Sequence, residues 1–189
     1  MKSTLLISFP FIWSVAFLNA QTLTDVARSK ELTWYGIDFS QARFLNFSSS
    51  QMIGEITGAD KNYVQKQYKK NILKTDFSTS KKRNSALDYS KLMSNAAYEI
   101  DAETVKKVVA EYDINGTGYG MLFVVESFEN TRRMGFIWIA YFNKADKKII
   151  SITRYTGLFG TTKCHGCGEW QHAITNVIKI SGKDLSAYK

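Results

Sequence analysis

The only two cysteines of the chain belong to one short motif, Cys164-His165-Gly166-Cys167, and His172 follows five residues after the second of them. Thiols and imidazoles at this spacing support three kinds of chemistry. In an oxidising compartment the cysteines would join in a disulfide. With a thiol pKa lowered by the start of the next helix, they would form a redox pair. With His165 and His172 they would bind a zinc ion.

The spacing ranks these three interpretations. A covalent c-type haem site needs a histidine directly after the second cysteine, and Gly168 stands there instead. A closed zinc site would need His165 or a carboxylate such as Glu169 in addition to His172, because no third cysteine exists. A thioredoxin-type motif follows an early strand, whereas this motif lies near the end of the sequence. We favour a Cys164–Cys167 disulfide and no cofactor, with the redox pair and zinc as alternatives.

Glu126 is a second candidate because it interrupts an apolar run that reads as a strand. A buried carboxylate has a raised pKa and can bind a ligand or transfer a proton. The alternative is an ion pair with a nearby arginine, Arg132 or Arg133. The spacing of a serine, histidine and aspartate triad is absent, so we assign no catalytic residue. A binding or interaction protein without catalysis is the function that we expect.

The first twenty residues have the layout of a secretory signal peptide. Lys2 supplies a positive charge, Leu5 to Leu18 is largely apolar, and Ala20 is a small residue at the expected cleavage point. We therefore expect export to the periplasm or the exterior, with a single mature domain over residues 21–189. No later stretch reaches the roughly 18–20 apolar residues of a membrane-spanning helix, so we expect a soluble domain.

A basic segment lies between Lys61 and Arg83 and carries Asp76 as its only acidic residue. A segment of this kind can bind an anionic polymer or an anionic component of the cell envelope. The alternative is a solvated helix face without a partner. Predicted export argues against nucleic acid. The binding candidates in this segment are Lys66, Lys69 and Lys70.

The elements that would position these residues follow from hydrophobic periodicity. The expected helices cover 61–74, 86–97, 101–112 and 170–180, and residues 77–84 are expected to be a loop. The expected strands cover 32–38, 121–128, 134–142 and 149–156, the last three as an antiparallel meander. This pattern predicts an α+β fold with a mainly antiparallel sheet, helices packed on it, and a closing C-terminal helix. Trp138, in the middle of a run that is apolar on both faces, should be almost fully buried.

Residues 34–43 (WYGIDFSQAR) resemble the opening of exported bacterial proteins of unknown function, in which an aromatic-Gly-x-Asp-Phe-Ser strand and turn follows the signal peptide. The meander and the final helix are similar in layout. The resemblance implies an exported α+β domain without an assigned activity, and it supplies no catalytic residues. The chain departs from it at Cys164–Cys167, where the glycine-rich loop of those proteins carries aromatic and polar residues.

The cysteine hypothesis has a direct test. We expect no free thiol in the unreduced, unfolded protein and two thiols after reduction, because the two cysteines are close and the expected compartment is oxidising. Thiol titration beside elemental analysis measures this. Stoichiometric zinc would favour the metal site, and two free thiols without metal would contradict both the disulfide and the zinc interpretations.

Overall fold

The computed structural model describes residues 21–47, 61–70, 72–160 and 170–189. Its α-helices are α1 (Leu23–Arg28), α2 (Lys61–Tyr68), α3 (Ser78–Ser85), α4 (Ala102–Ala110) and α5 (Gln171–Ser186). Its strands are β1 (Glu31–Asp38), β2 (Arg43–Leu45), β3 (Ile72–Thr75), β4 (Met93–Ser94), β5 (Tyr119–Glu129), β6 (Met134–Asn143) and β7 (Ile149–Leu158).

Strand β5 is the centre of the sheet. One edge of β5 pairs in parallel with β1 along its first half and with β2 along its second half. The other edge pairs with β6, which in turn pairs with β7, and both of these pairings are antiparallel. β3 extends the sheet beside β1, and β4 extends it beside β2, again in parallel.

The prediction of a mainly antiparallel sheet is wrong. Four of the six strand pairings are parallel, and the sheet curls into a half-barrel with helices packed against it. The three C-terminal strands follow one another through short turns, so their order is visible in the sequence. The parallel pairs need long crossover connections, and their partners lie far apart along the chain.

The region between α2 and α4 also differs from the sequence prediction. The helix expected over 61–74 ends at Tyr68, where Lys69 takes a positive φ of 49°, and β3 follows. The expected loop at 77–84 is the polar helix α3, which has no apolar stripe to reveal it. The helix expected over 86–97 is a 3₁₀ turn, Tyr89–Leu92, followed by β4.

The helices divide the apolar side chains between two cores. The larger core lies under α1, α2 and α5 and includes Trp34, Tyr68 and Phe123. The smaller core lies under α4 and includes Tyr35 and Val108. Trp34 and Tyr35 point to opposite faces of β1 by the ordinary alternation of a strand. A register shift between Trp34 and Ile37, with Gly36 at a φ of +93°, then places Ile37 in the same core as Trp34.

The expected burial of Trp138 is also wrong. Trp138 is partly exposed and packs at the margin of the smaller core. β5 takes the central position that the sequence suggested for β6, and every residue between its two ends is buried. The Trp138 ring is therefore partly exposed to solvent, and its indole nitrogen donates a hydrogen bond to Glu126.

Helix α5 crosses β7 at Gly157, where backbone meets backbone. A Cβ atom added to Gly157 would lie 2.1 Å from the carbonyl oxygen of Ala173, far inside contact distance. The helix would have to shift to accept any side chain at this position.

We expect Gly157→Ala to lower the free energy of unfolding by about 1–3 kcal/mol, the usual range for overpacking a well-packed core. Urea denaturation followed by circular dichroism measures this change. The control is Thr156→Ala at the adjacent exposed position, which should change stability by no more than about 0.5 kcal/mol. Equal unfolding midpoints for the two variants would contradict the close approach of helix and strand.

Candidate functional site

Helices α2 and α5 lie side by side with little space between them. A Cβ atom on Gly182 would come within 2.6 Å of the carbonyl oxygen of Gln67, so only glycine permits this approach. Next to this contact, the hydroxyl of Tyr68 in α2 lies 2.6 Å from the hydroxyl of Ser181 in α5. Ser181 donates its own proton to the carbonyl of Val177, so Tyr68 is the donor in the contact between the helices.

This packing unites lysines that are far apart in the sequence. Lys66 and Lys69, in and just after α2, are exposed, as are Lys179 and Lys183 on α5. We call these four residues the basic face. Lys179 and Tyr63 of α2 line the same shallow pocket, which places Lys179 beside α2.

The basic face has few negative charges to neutralise it. α2 contains no acidic residue, and Asp184 is the only one on α5. Within the described ranges, no salt bridge involves any of the four lysines. Their charges therefore add to a positive potential that is open to solvent.

Lys70, the third lysine predicted to bind a partner, does not belong to this face. Only 5% of its surface is exposed, and its ammonium group donates to the carbonyl oxygens of Val26, Ala27 and Ser29 at 2.5, 2.9 and 2.9 Å. Burial lowers the pKa of Lys70 to about 8. The side chain completes the C-terminal end of α1, which is a structural role.

Arg83, at the end of the predicted basic segment, is also turned inward. Its Nε donates to the buried carboxylate of Asp38 at 2.6 Å, and its other nitrogens donate to Glu111 and Ser40. The Tyr112 hydroxyl donates to the same Asp38 oxygen at 2.8 Å. Burial, followed by the Asp38 charge, raises the pKa of Tyr112. This cluster ties the turn after β1 to α3 and α4.

Glu126 is buried and fully bonded. It occupies a bulge in β5, opposite the step from Phe136 to Ile137 in β6. Its carboxylate accepts from the Trp138 indole at 2.7 Å and from two nitrogens of Arg154 at 2.6 and 3.0 Å. The ion pair is therefore with Arg154 of β7. The predicted neighbour Arg132 pairs with Glu129 instead.

The Cys164-His165-Gly166-Cys167 motif lies outside the described residues, so the disulfide, redox and zinc interpretations stay predictions. His172 is described. It lies in the first turn of α5 beside Gly160, and its Nε2 is enclosed without a hydrogen-bond partner in the described part of the chain. Among the described residues, no group of three or more histidine, cysteine, aspartate or glutamate side chains is arranged to hold a metal ion.

Comparison with known proteins identifies no relative that assigns a function. No protein-family model matches the chain, and no curated protein matches it. A solved structure with detectable similarity is the crystal structure of protein XCC0632 from Xanthomonas campestris, which is assigned to DUF330. The identity is 8%, the match covers 84% of this chain and 81% of that chain, and the TM-score is 0.31. A likeness this distant carries no argument about the present protein.

None of the helices in the described ranges combines the length and the apolar composition that crossing a bilayer requires.

The contrast between Lys70 and its neighbours gives a testable expectation. Lys70→Met keeps the apolar stem but leaves three carbonyl oxygens without their donor, so it should lower the free energy of unfolding by about 1–3 kcal/mol. Chemical denaturation at pH 7 measures the loss. The matched control is Lys66→Met on the exposed side of α2, expected within about 0.5 kcal/mol of the parent protein. A Lys70→Met protein as stable as the control would contradict the structural role.

Proposed function

We propose that this chain is an exported, non-catalytic binding protein that contacts an anionic polymer of the cell envelope or its surroundings through the basic face. The observation that carries the proposal is that Lys66, Lys69, Lys179 and Lys183 are exposed on two closely packed helices, where no salt bridge of the described residues neutralises them. The signal-peptide pattern of residues 1–20 supports the exported location.

The absence of a catalytic role rests on how the buried charges are used. Asp38, Glu126 and Lys70 are the charged residues buried in the described part of the chain, and each is bonded to protein groups. A general acid or base needs access to a substrate, and these groups have none. The exposed lysines of the basic face are accessible, and they suit binding.

Lysine is well suited to a polymer with repeated anionic groups. An ammonium group is a compact charge on a flexible stem, so it follows a chain of sulfates, carboxylates or phosphates without demanding one fixed geometry. Each such contact releases counterions, so the interaction should weaken steeply with added salt.

A second candidate function is thiol or zinc chemistry at Cys164, His165, Cys167 and His172. One observation favours it: the Nε2 of His172 is enclosed without a partner at the start of α5, close in sequence to the cysteine motif. The thiol titration and elemental analysis described above decide this alternative.

Two variants of equal net charge test whether binding depends on the position of these lysines or on the overall charge of the protein. Replacing Lys66, Lys69, Lys179 and Lys183 together by Gln should abolish retention on a heparin column at about 0.15 M salt, whereas the parent protein is retained. The slope of log affinity against log salt should become shallower by roughly 3 if all four contacts are lost. Heparin serves here as a model polyanion.

The control has the same net charge but keeps the basic face. It carries Gln at four exposed lysines of other elements, which are Lys81, Lys82, Lys107 and Lys148. It should elute close to the parent protein. If both quadruple variants lose retention equally, binding depends on overall charge alone and the proposed face is refuted.

A further inference from the structure

A cavity of about 350 Å³ opens beside the C-terminal end of α5. It lies between that end of the helix, the start of α1 and strands β6 and β7. Small-molecule sites begin at about this size. The lining includes Leu23, Tyr141, Thr153, Tyr155, Asp184 and Tyr188.

Tyr141 places an unsatisfied hydroxyl in this cavity. The residue is 2% exposed, and among the described residues its hydroxyl has no partner that meets hydrogen-bond geometry. The Tyr68 hydroxyl is a close neighbour, but its own proton is donated to Ser181, so it offers no proton to Tyr141. Buried polar groups are nearly always bonded, so an exception that lines a cavity suggests that a ligand supplies the partner.

The charge of the lining selects the kind of ligand. Among the described residues that line the cavity, Asp184 contributes the only side-chain carboxylate, and none is a lysine, arginine or histidine. Burial, and after it the negative charge of Asp184, raises the pKa of Tyr155, which places the carboxylate close to that phenol. Tyr188 lies 48% exposed at the same end. A carboxylate beside aromatic rings attracts cations and repels anions.

We propose that this cavity is a binding site for a small organic cation, held by Asp184, Tyr155 and Tyr188 through an ammonium or guanidinium group. An acceptor oxygen at the other end of the molecule takes the hydrogen bond of the Tyr141 hydroxyl. The site is distinct from the basic face, since none of the four lysines lines the cavity and its charge is opposite.

The charge requirement is tested with two probes that differ at one group. Tyramine has an ammonium group and a phenol oxygen, and tyrosol replaces the ammonium group with a hydroxyl. In isothermal titration calorimetry on the full chain, we expect tyramine to bind at least tenfold more tightly than tyrosol. Asp184→Asn should remove that preference, while Asp113→Asn, an exposed acid outside the cavity, should retain it.

The Tyr141 hydroxyl has its own test. Tyr141→Phe should weaken tyramine binding severalfold without lowering the unfolding midpoint, because no protein hydrogen bond is lost. A lower midpoint with unchanged affinity would show that the hydroxyl only supports Tyr68 and would overturn its role as a ligand donor.

The source of the cation is resolved by a third probe, Nα-acetyl-lysine amide. Binding of this probe as tight as that of tyramine supports the site and assigns it to a lysine side chain of a partner protein, whereas weaker binding assigns it to a free small molecule. The proposal is overturned if none of the cationic probes binds at about 10 mM, or if tyramine binds Asp184→Asn as well as the parent protein.

Discussion

The pairing of β5 on both of its edges is the constraint on which the rest of the structure depends. Residues between its ends are buried, so every backbone polar group of the strand must be bonded by a neighbouring strand. One edge accommodates β1 and β2 in succession, which requires the chain to turn between Asp38 and Arg43. The bulge at Glu126 lies where β5 passes from β1 to β2 as its partner. The turn after β1 begins at the buried carboxylate of Asp38, and the bulge in β5 holds the buried carboxylate of Glu126. Each is paired with an arginine from later in the chain, Arg83 and Arg154 respectively.

Those buried charges explain why chemically suggestive residues in the sequence are structural in the folded protein. Asp38 is bonded by Arg83 and Tyr112, and Glu126 is bonded by Arg154 and Trp138. Removing one member of such a pair would leave the other charge buried and unpaired, which is strongly destabilising. Lys70 follows the same principle with uncharged partners. The interactions fasten α3, α4, β7 and α1 to the sheet.

Helix α5 combines the two surfaces that remain open for binding. Its contact with α2 at Gly182 brings two pairs of lysines together, and its C-terminal end closes the cavity beside Tyr155. Glycine at the crossing of β7 and at the contact with α2 allows both approaches. The two surfaces have opposite charge, so a polyanion and a small cation could be bound without competing. Neither surface uses the buried charged residues Asp38, Glu126 and Lys70.

Elements whose residues interact locally were predictable from the sequence. Alternating and continuous apolar runs located β5, β6 and β7, and Asp101 with the valines after it located α4, whose first turn it caps. Lys66 and Lys69 were recognised because they are charged positions beside an apolar helical stripe. Lys179 and Lys183 were missed, and Lys183 lies beyond residue 180, where the closing helix was predicted to end, whereas the helix continues to Ser186.

Which distant segments contact one another depends on the tertiary fold and was not predictable from the sequence. The parallel pairing of β1 with β5, the burial of Lys70 and the union of Glu126 with Arg154 each join residues separated by 28 positions or more. No short pattern specifies them, because each depends on several segments burying their apolar faces at once. The cavity around Tyr141 depends on the same cooperation, since three separate parts of the chain form its walls. The hydrophobic periodicity of a segment indicates which of its side chains are buried. The segment against which it packs depends on the packing of the whole chain.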